Sequence, residues 1–197
     1  MCAGENHLPT RVYVATYAVA GLATALVIDP TLLEERSNPG PGVLDPFVGY
    51  GTSFLFVSTV AVATLDAGRF HWSRHITFRV QATAFLFVVA TTALQIWAMA
   101  VNPFFSSAVR LQTERGHRVI THGPYRFVRH PGYFAMLLVM PATAVALGSR
   151  LALGPAFLYS AVIFRRTIRE DRFLKERLPG YPCYMLRVRY RLVPGLW

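Results

Sequence analysis

Long uncharged stretches alternate with short polar ones along this chain. Residues 13–28, 47–65 and 80–101 contain no Asp, Glu, Lys or Arg. A hydrocarbon core about 30 Å thick takes roughly 20 apolar residues of helix, so each stretch predicts a membrane span. Helix-breaking signals sit where such spans should stop: Asp29-Pro30 after the first, a Pro/Gly segment (residues 38–42) before the second, and Asn102-Pro103 after the third. A fourth apolar region, residues 133–164, is too long for one span and is interrupted by Gly148, Ser149 and Arg150. It predicts a helical hairpin with spans at about 133–148 and 151–166. The pattern is that of an all-α, polytopic integral membrane protein, a single domain over residues 1–197 with about five transmembrane helices.

Composition supports this division. Of 197 residues 53% are hydrophobic and 15% charged, whereas a soluble domain carries about 25% charged residues. The net charge of +10 could point to nucleic acid, but Lys175 is the only lysine, and the arginines border apolar segments. That is the pattern of interfacial anchoring and of the positive-inside bias, and it argues against a nucleic-acid partner. An odd number of spans puts the termini on opposite faces. With the C-terminus in the cytoplasm, all of the 20 Lys and Arg fall on that side except Arg11, Arg69, Arg74, Arg79 and Arg150.

Metal and disulfide chemistry are not indicated. Cys2 and Cys183 lie at opposite ends of the chain, with no Cys/His cluster at ligand spacing. His71 and His75 are four residues apart, but beside Phe70 and Trp72 they read as an interfacial loop. Trp97, Trp197 and the scattered tyrosines fit an aromatic belt. The first apolar run is long for a signal peptide, its flank contains Glu5, and no small-residue cleavage site ends it.

Candidate chemistry gathers in two polar segments, 105–133 and 165–197, which the hairpin brings to one face. The first includes TERGHRVITHGPYRFVRHPGY, residues 113–133. Gly116 and Gly123-Pro124 break helix there, and Pro131 makes His130 extended and starts a helix. His130 is thereby predicted at a helix N-terminus beside Tyr125, Arg126, Arg129 and Tyr133, a favourable place for an anionic group. The second segment includes FRRTIREDRF, residues 164–173. On a helix continuing out of the last span, Arg166 and Glu170 share a face, with Asp171 one position round. A break at residues 178–184 and a tail of alternating basic and apolar residues follow. The nine basic residues after 164 would also attract anionic lipid.

An Arg-His-Pro-x-Tyr motif after a Gly-Pro-Tyr turn, then a hairpin, an acidic pair and a Tyr/Arg/Val tail, resembles the isoprenylcysteine carboxyl methyltransferase family and the related membrane phospholipid methyltransferases. The resemblance covers residues 105–197. It implies an S-adenosylmethionine-dependent methyl transfer at the cytosol–membrane boundary, with the acceptor entering from lipid. His117, Val119, Gly123 and Tyr125 match the loop against the cofactor; Arg129, His130, Pro131 and Tyr133 match the signature; Glu170 and Asp171 match the paired acids. Arg166 matches a basic residue of the catalytic centre, with Glu170 and His130 beside it. Two departures stand out: the second acid is Asp, and Leu178-Pro179-Gly180 replaces a Phe-Gly before the tail tyrosines, aligned as Tyr181 and Tyr184.

These residue types suit the chemistry. Transfer from a sulfonium needs close approach and desolvation more than proton transfer. A carboxylate acceptor is ionised at neutral pH and needs a cation to orient it, which the Arg166 fork supplies. A phospholipid amine would instead need a base, such as His130 or Glu170. A sterol-type reductase using a reduced nicotinamide, or an inactive membrane scaffold, are the competing classes. The expected partners are a lipophilic or prenylated acceptor and membrane lipid.

Overall fold

The computed structural model describes residues 8–44, 46–73 and 76–197, and every regular element among them is helical. In chain order these are α1 (Leu8–Val27), α2 (Pro30–Ser37), α3 (Pro46–Leu65), α4 (Phe78–Val101), α5 (Pro131–Ala146), α6 (Leu153–Arg177) and α7 (Tyr181–Arg187). A π turn (Asp66–Phe70) extends α3, and 3-10 turns form at Thr113–Arg115 and Gly123–Arg126. Cys2, Glu5, Arg74 and His75 lie outside the described residues.

Three segments, Thr10–Val27, Phe47–Phe70 and Phe78–Val101, are long and apolar enough to cross a membrane; α5 is apolar but shorter. Phe47, Tyr50, Phe54 and Phe78 are each at least 70% exposed. Rows of large apolar side chains facing outward suit lipid and not water. The architecture is that of a multi-pass membrane protein.

Two helices depart from the sequence expectation. Asp29-Pro30 and the Pro/Gly segment at 38–42 read as helix-breaking signals, yet α2 forms between them. Its N-cap Asp29 accepts from the Thr31 N–H at 2.8 Å, and Pro30 occupies the first turn. The break expected at 178–184 is likewise shorter, spanning only Leu178, Pro179 and Gly180. Gly180 takes a left-handed φ of 84° as N-cap and Pro182 sits in the first turn of α7, which starts at Tyr181, so Pro here helps to start a helix instead of merely ending one. The hairpin between α5 and α6 turns over residues 147–152, with Gly148 at φ 83°. As expected, α6 continues well past its apolar half, carrying Arg166, Glu170 and Asp171 out to Arg177.

α5 is the centre of the packing: it lies against α4 and α6, while α3 packs on α6 and α1 on α4. At the hairpin end the fully buried Asp66 accepts hydrogen bonds from Ser149 Oγ (2.5 Å) and from the N–H (2.7 Å) and hydroxyl of Ser73. Ser73 Oγ in turn accepts from Arg150 N at 2.9 Å. This knot ties the end of α3 to the hairpin turn. The opposite ends of α5 and α6 are thereby held in register, where the polar segments meet.

Candidate active site

Pro131 occupies the first turn of α5, and His130 is its N-cap. The backbone N–H groups of Arg129 and His130 donate to the carbonyls of Tyr190 and Arg191 at 2.9 and 2.8 Å. The tail therefore lies along the signature motif, and its side chains reach the same centre. That centre is Asp171, buried on α6. Its carboxylate accepts from Arg129 Nε (2.8 Å) and Nη2 (3.1 Å), Arg191 Nε (2.8 Å) and Tyr181 OH (2.9 Å), and lies 3.2 Å from His130 Nε2. Burial alone would raise the Asp171 pKa; hydrogen bonds from His130, Arg129 and Arg191 outweigh it and hold the acid well below the usual carboxylate range. Asp171 is ionised and fully engaged.

Two cavities open beside this hub. The first is a narrow slot of about 40 Å³, lined by His117, Arg118 and Val119 of the loop, Tyr125, Arg129 and His130 around the motif, and Glu170 of α6. The second is an open cavity of about 660 Å³ that runs between α2, α3, α5 and α6. Phe105 lines both. Its ring lies against the backbone of α5, where a Cβ on Gly132 would come within 2.6 Å of it. Glycine at 132 therefore lets Phe105 stand as the partition.

A chain of three side chains crosses that partition. Arg166, which lines the larger cavity, donates through Nε to Tyr133 OH at 2.9 Å, and Tyr133 OH donates to Glu170 Oε2, in the slot, at 2.5 Å. Arg166 Nη2 also donates to the Ser106 carbonyl at 3.3 Å. Both bonds leave N–H groups of its fork for a further acceptor.

The residues expected to touch a cofactor are thus sorted by the fold. His117, Val119, Tyr125, Arg129, His130 and Glu170 line the slot. Tyr133 lines the larger cavity. Gly123, Pro131 and Asp171 line neither. Gly123 has φ 59° and packs against Val101 and Trp97, while Pro131 begins α5. Eight residues not singled out as cofactor contacts also line the slot: Asn102, Phe105, Arg118, Ile120, Leu174, Leu178, Tyr181 and Tyr184. One signal could have found two of these, since Glu170, Leu174 and Leu178 follow each other at four-residue spacing along one helix face.

His117 is held neutral. Burial, then the nearby Arg110 and Arg115, push its pKa down from 6.5 to about 4. Its Nδ1 accepts from Gln112 N at 3.3 Å and its ring stacks on Phe104 at 4.6 Å, which leaves Nε2–H as a donor. Because the unfolded chain takes up the proton first on acidification, stability from the neutral ring is complete above pH 6.5 and is lost between 6.5 and 4. Thermal unfolding across pH 7.5 to 4.5 should therefore fall less steeply for His117→Gln than for the wild-type protein. Parallel curves would refute this.

Comparison with known proteins falls on the same region. Residues 82–176 match the isoprenylcysteine carboxyl methyltransferase (ICMT) family. The matched segment runs from α4 to the end of α6 and contains Arg129, His130, Tyr133, Arg166, Glu170 and Asp171. Two sequences from Oryza sativa, subsp. indica and subsp. japonica, are each 37% identical over 83 residues, 42% of this chain. Both are described as "Probable protein-S-isoprenylcysteine O-methyltransferase". The chain spans 38% of the length of these relatives. The motif-based resemblance and the ICMT-family match therefore rest on overlapping residues.

Proposed function

We propose that the protein is an S-adenosylmethionine-dependent methyltransferase that acts on the carboxylate of a lipophilic, isoprenylcysteine-like acceptor, with its active site on the cytoplasmic face of the membrane. The Arg166–Tyr133–Glu170 chain carries this reading, because it links a polar slot to a lipid-side cavity through one partition.

The slot's donor set fits the cofactor. Glu170 can face an ammonium or sulfonium charge, Arg118 and Arg129 a carboxylate, and the tyrosines with Val119, Ile120 and Leu174 a purine ring. The slot is much narrower than the ~300 Å³ of an ordinary ligand pocket. Its outer wall, residues 117–119, is a surface loop and is the part that has to move aside. When bound, S-adenosylmethionine would supply a methyl group on a cationic sulfur, open to in-line displacement by an ionised oxygen.

The chain's own residues do the rest. Arg166 orients the acceptor's carboxylate with its free N–H groups, and no base is needed because that oxygen is ionised at neutral pH. Tyr133 and Glu170 fix the Arg166 fork. Phe105 and Tyr133 keep water out of the space between the cavities, which strengthens every charge interaction there. His130 has its Nε2 committed to Asp171 and Tyr181, so it shapes the slot and does not serve as a base. The positive-inside count supports a cytoplasmic C-terminus and site.

The test is calorimetry on detergent-solubilised protein. S-adenosylmethionine is expected to bind, and binding is expected to weaken more than tenfold in Glu170→Ala and His130→Ala. Binding of NADPH in its place would sink the reading, and binding of neither would favour a scaffold. Methyl label released from the acceptor by mild base marks an ester; a base-stable label marks an amine.

A further inference from the structure

The mechanism above uses one arginine of the larger cavity, and a second lines the same wall. Arg36 stands in the last turn of α2, outside residues 82–176, and faces the cavity together with Arg166. Its sequence neighbour does not neutralise it. Glu35 is turned the other way, into a two-pronged pair with Arg110 (Oε1 to Nε 2.8 Å, Oε2 to Nη2 2.5 Å) and a bond from Ser106 Oγ at 3.1 Å. Arg36 Nη1 donates to the Phe105 carbonyl at 3.0 Å, and its guanidinium lies 5.9 Å from the Phe105 ring centroid. Among the described residues no carboxylate lies within ion-pair distance of it.

The second cation is held there firmly. Ser107 Oγ donates to the Arg36 carbonyl at 3.0 Å, and the Glu35–Arg110 pair clamps α2 from its other side. Burial lowers the Arg36 pKa, and the charge of Arg166 works in the same direction; a guanidinium nevertheless stays protonated. Glu170, the nearest acid to Arg166, is 3.9 Å from Nε and takes its closer bond from Tyr133. Two guanidiniums thus face one cavity against a single carboxylate shared across the partition. The remaining wall carries no further charge: apolar Phe56, Val57 and Met136 stand beside uncharged polar Thr52, Ser53 and Gln95. Like charges fixed together in one partly desolvated cavity are costly unless an anion joins them.

We propose that Arg36 and Arg166 together grip the acceptor's carboxylate, so that Arg36 is a specificity-determining residue selecting an anionic over a neutral head group on an apolar tail. The inference rests on the methyl-transfer reading for the nature of the acceptor. It does not depend on cofactor binding, because the grip is made in the larger cavity alone.

The experiment uses N-acetyl-S-farnesylcysteine and its carboxamide as probes on the full chain in detergent. Titrations without cofactor should show the wild-type protein preferring the carboxylate by more than about tenfold. Arg36→Gln should remove about tenfold of that preference while amide binding changes less than about twofold. In methyl-transfer assays its KM should rise about tenfold with kcat within about threefold. Arg36→Lys, which keeps the charge but loses the fork, should show an intermediate preference and carries the test if the glutamine variant does not fold. An unchanged preference in either variant, equal weakening of both probes, or no preference in the wild-type protein would each overturn the proposal. Failure of S-adenosylmethionine to bind would sink the methyl-transfer reading, while the probe titrations would still decide the role of Arg36.

Discussion

Replacing Asp171 with alanine is expected to cost about 3–5 kcal/mol of stability, because it strands the buried Arg129 guanidinium, for which Asp171 is the ion-pair partner among the described residues. The Arg129 guanidinium gives two hydrogen bonds to Asp171 and two more to the carbonyls of Val188 and Arg189. Tyr181 and Arg191 lose their acceptor in the same step. Cofactor binding should disappear with stability, since Arg129, His130 and Tyr181 line the slot. Thermal unfolding in detergent should show an apparent midpoint lower by about 10 °C. Asp171→Asn keeps the shape but loses the charge and should fall between. A midpoint within about 2 °C of wild type in the alanine variant would show that the hub does not hold this face together.

The second large effect is catalytic. Arg166→Ala should lower kcat by about 10²–10³-fold, the usual cost of deleting a charged group that fixes a reacting oxygen, while S-adenosylmethionine affinity stays within about threefold. The separation follows from the geometry: Arg166 lines the larger cavity and not the slot. Arg166→Lys should recover little, because an ammonium cannot bond Tyr133 and a carboxylate in one plane. Single-turnover kinetics at saturating acceptor check both. A kcat near wild type with only a raised KM would reduce Arg166 to a binding role.

Where sequence and structure agree, short-range physics was enough. Pro131 holds His130 out of the helical region and suits the first turn of a helix, so His130 as N-cap is local information. The i, i+4 relation of Arg166 and Glu170 needs only that α6 continue, which its string of Arg, Lys and Glu with no Gly or Pro permits. The α2 helix was missed although its signals, Asp29 as cap and Pro30 in the first turn, are present. Eight residues without an apolar run do not register against the long spans beside them. The α7 helix was missed because Pro182 reads equally as a stop or a start.

What sequence could not reach are contacts between distant segments. Nothing in the neighbourhood of Glu35 indicates Arg110, 75 residues away, so the isolation of Arg36 from its own neighbour is visible only in the fold. The assignment of Asp171 to a cofactor wall had the same origin. Adjacent acids on a helix point about 100° apart, and only the packing decides that Glu170 faces the slot while Asp171 faces the tail.

The placement of the Asp171 partners also fixes an order of events as the chain is made. Arg129 and His130 emerge before the hairpin, Tyr181 and Arg191 after it. The spans can insert and the hairpin can close, pinned at Asp66, while the acid still lacks half its donors. Only when residue 191 is available can Asp171 take its last donor. The ring of donors around Asp171 therefore cannot close until residue 191 has been made, well after both helices of the hairpin.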